Sequence, residues 1–284
     1  MDRRAFLTSI GVAAAASQLG CASGALLGAS GRRLRRVGIQ LYTLRADARL
    51  DLERTLGDIA AAGYNDVELL GSMNNFEMAP AKVRAILDRN GLRAPSTHVG
   101  GNALDDLDRH LTAAATLGHQ YLIVASLPLG TTRTVDDYRR WADKFNEAGQ
   151  RSLRQGVWVG FHNHALDLAP IDGVVPYDVF VERTDPAIVR LQLDTGNLAM
   201  AGRDPLEYMK RYGSRYWSFH IKDVPRLGAT SDTELGKGII DFKRLLATID
   251  HIDDKHLFVE QETYPGTPLD SARRDYAYLS TLTF

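Results

Sequence analysis

The feature that most constrains this chain is a beat that repeats from residue 37 onward. A stretch with apolar residues at helical spacing ends at a glycine, and a short β-rich run follows. Leu52, Leu56 and Ile59 share one helical face behind a capping Asp51, Gly63 stops that helix, and Asp66–Leu70 reads as a strand. Pro80 opens the next helix, with Val83, Ile86 and Leu87 facing inward, and Gly91 closes it before a strand over 92–98. Leu104, Leu107, Leu111 and Leu117 precede Gly118 and the run Tyr121–Val124. Tyr138, Trp141 and Phe145 sit on a helix between Thr134 and Gly156, ahead of a strand over 157–164. Strands over 188–194, 216–221 and 257–261, helices opened by Asp204-Pro205 and by Asp241, a last helix over 270–282 and a first strand over 37–42 complete the pattern. Strands alternating with helices build parallel βαβ units. Eight such units in roughly 250 residues match a closed α/β (β/α)8 TIM barrel, here over 37–284. The competing architecture is an open doubly wound sheet, but no Gly-x-Gly-x-x-Gly follows the first strand.

The first residues differ in kind. Arg3-Arg4 precede Ala5-Phe6-Leu7 and an apolar stretch from Ile10 to Ala16. Paired arginines before a modest apolar run read as a twin-arginine export signal over 1–30, and imply a periplasmic or otherwise exported enzyme. The stretch is too short to span a bilayer as a transmembrane helix. The single cysteine, Cys21, excludes an intramolecular disulfide and is the residue that would carry a lipid anchor after cleavage. Arg32, Arg33, Arg35 and Arg36 read as a basic linker over 31–36. The formal net charge is −1, so there is no basic excess to hold a phosphate backbone, and nucleic acid is not an expected partner.

Polar residues at the C-terminal ends of barrel strands face the active site. Those positions here hold Gln40 and Tyr42, Glu68, His98, His162 and His164, Asp194, His220 and Lys222, and Glu260 and Glu262. Pairs two apart fall on one face of a strand. Buried carboxylates cost several kcal/mol unless paired or metal-bound, roughly speaking, and a carboxylate or imidazole at nearly every strand end asks for one of the two. Mixed imidazole and carboxylate donors suit one divalent ion, Zn, Mn, Fe, Co or Mg. Each residue alone has a plainer reading: Glu68 paired with Arg45, Lys222 with Asp223, Tyr42 as packing.

Gly38-Ile39-Gln40-Leu41-Tyr42-Thr43-Leu44-Arg45, Phe161-His162-Asn163-His164, Leu193-Asp194-Thr195-Gly196-Asn197, His220-Ile221-Lys222-Asp223 and Val259-Glu260 resemble the sugar phosphate isomerase/epimerase family, the xylose isomerase-like TIM barrels, which are also related to endonuclease IV. The resemblance implies one divalent metal held by His162, Asp194, His220 and Glu260, with His164 in reserve. His162 stands where ketose epimerases place a glutamate, so the two-glutamate proton exchange of those enzymes is missing one member. Asp167 takes the acidic position three residues after His164, and Gly236-Lys237-Gly238 replaces the acid of a family Gly-Glu-Gly.

The implied reaction is isomerisation or epimerisation of a sugar through a metal-stabilised enediolate. Glu260 or Glu262 would act as base, Lys222 and His98 would bind the oxyanion or return a proton, and Gln40, Tyr42, Glu68, His164 and Asp167 would hold the substrate. The same intermediate can expel a leaving group, giving a lyase or dehydratase on a 3-oxo-glycoside or keto-sugar. A non-catalytic sugar-binding protein and a phosphodiester-cleaving enzyme are the remaining classes. The latter needs three zinc ions and more ligands than these strand ends supply.

Overall fold

The computed structural model describes residues 31–129 and 132–284. The segment over 1–30 read as an export signal, with Cys21 in it, lies outside the described residues. Eight parallel strands close into a barrel in sequence order: β1 (Gly38–Gln40), β2 (Asp66–Leu70), β3 (Arg93–Gly100), β4 (Tyr121–Ser126), β5 (Trp158–His162), β6 (Val189–Asp194), β7 (Tyr216–Ile221) and β8 (His256–Val259). β1 pairs with both β2 and β8, with Gly38 opposite Asp66 on one side and Phe258 on the other. No strand is therefore left with an open edge.

The helices form where the glycine-stopped periodicity places them. Asp51 caps α2 (Leu52–Ala61) by accepting from Arg54 N at 3.0 Å, and Leu52, Leu56 and Ile59 are buried. Gly63 leaves it at φ 108°, where an added Cβ would strike the Tyr276 ring. α3 (Pro80–Arg89) starts on its proline, α4 (Leu107–Leu117) ends on left-handed Gly118, and α5 (Val135–Leu153) begins at a Thr134–Asp137 capping box. Three helices were not among those expected from the sequence: α1 (Arg45–Leu50), α6 (Pro176–Arg183) and α7 (Thr195–Met200). α8 (Pro205–Tyr212), α9 (Phe242–Ala247) and α10 (Pro268–Thr281) complete the shell. Among the described residues no helix is long and apolar enough to cross a membrane.

Alternation along each strand divides two cores. On β5, Val159 and Phe161 are buried against the helices, where Phe161 meets Phe145 and Phe180 with ring centroids 5.8 and 4.5 Å away. At the N-terminal end of the barrel, Arg93 grips Asp66 through two bonds of 2.8 and 2.6 Å. Nearby, Arg190 stacks between Trp158 and Trp217, 3.8 and 3.9 Å from their ring centres. Residues 32–36 run along this barrel: Arg32 and Phe284 exchange two backbone bonds of 2.9 Å, and Arg32 and Arg35 reach Asp253.

Three strands are shorter than the sequence suggests. β1 stops at Gln40, β5 at His162 and β8 at Val259, and β7 ends at Ile221, so Gln40/Tyr42, His162/His164, His220/Lys222 and Glu260/Glu262 are not alternate residues on one strand face. Beyond those ends the chain turns to meet side-chain hydrogen bonds instead of a neighbouring strand. His164 N donates to Asp167 Oδ2 at 2.8 Å, and Glu262 N donates to Asp232 Oδ2 at 2.7 Å.

Candidate metal centre

The C-terminal ends of β5, β6, β7 and β8 bring His162, Asp194, His220 and Glu260 together. Their donor atoms all lie within 4.8 Å of one another, and all four side chains are buried. Asp194 is placed by its backbone. Its amide takes a 2.9 Å bond to Asn163 Oδ1, and its carboxylate caps α7 by accepting from Asn197 N at 2.7 Å and Asn197 Nδ2 at 2.9 Å. His220 Nδ1 lies 2.8 Å from Glu260 Oε2.

A polar floor supports this ring from below. Glu68, fully buried on β2, accepts from Gln40 Nε2 (2.7 Å), Ser96 Oγ (2.5 Å) and Gln192 Nε2 (3.0 and 3.2 Å). His220 Nε2 lies 2.6 Å from Glu68 Oε2, and His98 Nε2 lies 3.2 Å from it. Burial alone would push the Glu68 carboxyl up, but His98 and His220 outweigh it and bring it down to about 2. Gln192 Oε1 faces both His98 Nε2 at 2.8 Å and His162 Nδ1 at 2.9 Å.

The remaining wall is charged. Lys222 is buried, and its Nζ stands 2.8 Å from Glu262 Oε1, 2.9 Å from Glu260 Oε2 and 3.5 Å from Asp194 Oδ2. Burial opposes its charge, but these carboxylates raise its pKa well above that of a free lysine. Thr195 Oγ1 donates to Lys222 O at 2.7 Å and accepts from Lys222 N at 3.0 Å. Gly196 is where the Lys222 stem passes: a Cβ there would stand 2.6 Å from Cδ and 2.9 Å from Cβ. Next to it, Asp223 collects the amides of Val224, Gly236, Gly238 and Ile240 and so folds the loop over 224–240.

The donor set fits a divalent ion. Two imidazoles and two carboxylates match the ligand types of Zn²⁺ and its neighbours. The charges are also incompletely balanced. Burial, with Glu260 beside it, pushes the Asp194 carboxyl up to about 7 despite Lys222 and His220. Another positive charge is what would relieve it. In the same setting Glu260, desolvated but held by Lys222 and His220, is driven well down, and His220, also desolvated, rises to about 10 between Glu260 and Glu68.

Every strand-end residue expected from the sequence lies on this side of the barrel, but several differ in role. Gln40 and Glu68, expected to hold substrate hydroxyls, are sealed in the floor, because protein donors already occupy the Glu68 oxygens. Arg45 does not pair with Glu68. It stacks on Tyr42, 4.1 Å from the ring centre, and donates to Tyr42 O at 2.9 Å. Lys222 and Asp223 are both buried and serve different partners. His164 is exposed, with its ring 4.7 Å from that of His162. Asp167 is buried, accepting from Tyr138 Oη at 2.8 Å and from His164 N. Lys237 pairs with Glu234, away from the ring. The sequence reading missed Gln192, Ser96, Asn163, Asn197 and Asp232. Gln192 was within reach, lying two residues before Asp194 and hence on the same strand face.

Residues 56–282 match the xylose isomerase-like TIM barrel family. The chain belongs to that family. Among curated relatives, an inosose dehydratase 2 of Bacillus cereus is 24% identical over 78% of this chain and 86% of its own length. An inosose dehydratase of Lacticaseibacillus casei is 29% identical over 51% of this chain and 55% of its own. Among solved structures, a sugar phosphate isomerase/epimerase from Parabacteroides distasonis superposes with TM-score 0.76 at 23% identity, covering 87% of this chain and 98% of that one. The IOLI protein with a bound zinc atom superposes with TM-score 0.68 at 13% identity, covering 85% and 95%. These superpositions share the barrel. The buried His162, Asp194, His220 and Glu260 group could hold a metal ion.

Proposed function

We propose that this chain is a metal-dependent dehydratase or lyase that acts on a polyhydroxylated keto compound, removing the proton next to the carbonyl and expelling a β-oxygen. The observation that carries this reading is the buried ring of His162, Asp194, His220 and Glu260 set directly against the Lys222–Glu262 pair. Those four residues would hold one divalent ion. Bound there, it supplies Lewis acidity to the substrate carbonyl.

The protein's own groups divide the rest. Glu260 belongs to the ring and already meets His220 and Lys222, whereas Glu262 is an exposed carboxylate with a side-chain bond to Lys222. Glu262 is therefore the base. It takes the α-proton and can hand it to the departing oxygen, so that the C–H and C–O bonds break, a C=C bond forms, and water or an alcohol leaves. Lys222, held by its three carboxylate neighbours, would supply a fixed positive charge for the developing oxyanion. His98, its Nε2 committed to Gln192 and Glu68, orients neighbouring groups, and burial pushes its pKa down.

Elimination is favoured over epimerisation because His162 occupies the strand-five position where a second carboxylate would be needed. The names of the curated relatives support the same choice. The paired Arg3-Arg4 support export by the twin-arginine route, which cell fractionation would test.

The enzymatic test is incubation of the Mn²⁺- or Zn²⁺-loaded protein with inososes, 3-oxo-glycosides and ketoses in D₂O. The expected result is loss of water or release of the aglycone, with growth of enone absorbance. Deuterium in a recovered sugar without elimination would make the chain an isomerase or epimerase. No turnover, with sugar affinity unchanged in Glu260→Gln, would make it a binding protein.

A further inference from the structure

A carboxylate only accepts hydrogen bonds, so it dictates which end of an adjoining amide it meets. Both oxygens of Glu68 lie against the same terminal atom of Gln192, at 3.0 and 3.2 Å, and that atom is therefore the nitrogen. The amide oxygen is turned the other way, toward His162 Nδ1 at 2.9 Å and His98 Nε2 at 2.8 Å. An amide oxygen cannot donate, so both ring nitrogens carry hydrogen. In a neutral His162 ring the lone pair then sits on Nε2, the nitrogen 3.8 Å from Asp194 Oδ2 and 3.4 Å from Asn197 Nδ2, an amide N–H donor. Glu68 acts on His220 without an intermediary, taking its Nε2 at 2.6 Å and leaving Nδ1 toward Glu260. Glu260 is a carboxylate as well, so in the metal-free site both His220 nitrogens face acceptors, and these bonds fix a tautomer for His162 alone.

We infer that Gln192 is a positioning residue that sets the tautomer of His162, relaying the orientation imposed by Glu68 so that a bare Nε2 faces the cation. The tautomer follows from the hydrogen bonds alone; its use for binding a cation rests on the reading given under Proposed function. A free histidine side chain prefers the opposite tautomer, with hydrogen on Nε2, so without Gln192 the ligand nitrogen would be the protonated one. Partners of metal-bound histidines commonly change affinity by about 10–100-fold when removed.

The test is long-range ¹H–¹⁵N correlation of histidine rings in the metal-stripped protein, with His162 assigned by its absence from His162→Gln. The wild type should show hydrogen on Nδ1 of His162. Gln192→Met, of similar length but without an acceptor oxygen, should move it to Nε2 and lower Zn²⁺ affinity, measured by chelator competition, by about 10–100-fold. Gln192→Glu keeps an acceptor oxygen at the same reach and, protonated on the oxygen that meets Glu68, should keep the Nδ1–H form. The inference is overturned if His162 in the wild type carries hydrogen on Nε2, if it keeps Nδ1–H in Gln192→Met, or if Gln192→Met binds Zn²⁺ as tightly as the wild type. A wild type that shows the Nδ1–H form but binds no Zn²⁺ would overturn the metal reading and leave the tautomer assignment standing.

Discussion

Lys222 carries the most electrostatic weight of any single residue in the site. Three carboxylates sit within 3.5 Å of its Nζ, and its stem is buried. Removing one partner of a buried charge network leaves the others uncompensated, at a cost of about 3–5 kcal/mol. Lys222→Met should therefore lose roughly that much stability in urea unfolding of the metal-free protein. A loss under about 1 kcal/mol, the value of an exposed pair, would show that the network is solvent-screened. Asp275 offers a pH signature away from the ring. Its Oδ1 accepts from Leu235 N at 2.8 Å, and its buried Oδ2 has no partner. Burial, with Glu234 nearby, pushes its carboxyl up to about 7. Unfolded, it releases its proton near pH 4, roughly the free value. Its contribution is fully present below that pH, and is lost as the pH rises to about 7. The stability of Asp275→Asn relative to wild type should thus increase across this window and level off above it; parallel curves would contradict the assignment.

At the scale of elements, the barrel was legible because its signals are local. Helix caps such as Asp51 and Thr134, and glycine stops such as Gly63 and Gly118, state where one element ends whatever surrounds it. Strand ends were less legible. Whether Asn163 and Glu260 extend β5 and β8 depends on what their backbones meet across the barrel mouth, and that is a tertiary fact. The four members of the ring could be found from strand-end chemistry and family resemblance together. Of the floor beneath them, Gln40, Glu68 and His98 were named but not their role, and Ser96, which carries no charge, becomes informative only once Glu68 is seen to need donors. α6 and α7 were missed because α7 is a short turn capped by Asp194, and α6 has only Pro176 to announce it. The close passage of α7 over Lys222 has a measurable consequence. Gly196→Ala would drive a methyl group into the Lys222 stem. Zn²⁺ binding should stay within a few-fold while turnover falls about 100-fold, as a misplacement near 1 Å predicts. Unchanged turnover would show that Lys222 is not held to one position.

For the whole molecule, the closed barrel gathers one ring of donors from four consecutive strands and leaves its opposite end to structural pairs such as Arg93–Asp66. A ligand that binds only the folded state stabilises it by about 2.7 kcal/mol at a hundredfold excess over Kd. For a domain of this size that is a rise in Tm of roughly 5–10 °C. Zn²⁺ added to stripped protein should produce it, and EDTA should reverse it. The same addition to His220→Ala should give no comparable rise.

The most direct measurement is anomalous diffraction from crystals soaked in Zn²⁺. A single strong peak should lie about 2.0–2.3 Å from donor atoms of His162, Asp194, His220 and Glu260 together. A peak elsewhere, or none at the ring while the crystal holds zinc at its surface, would contradict the assignment of these four residues as one cation site.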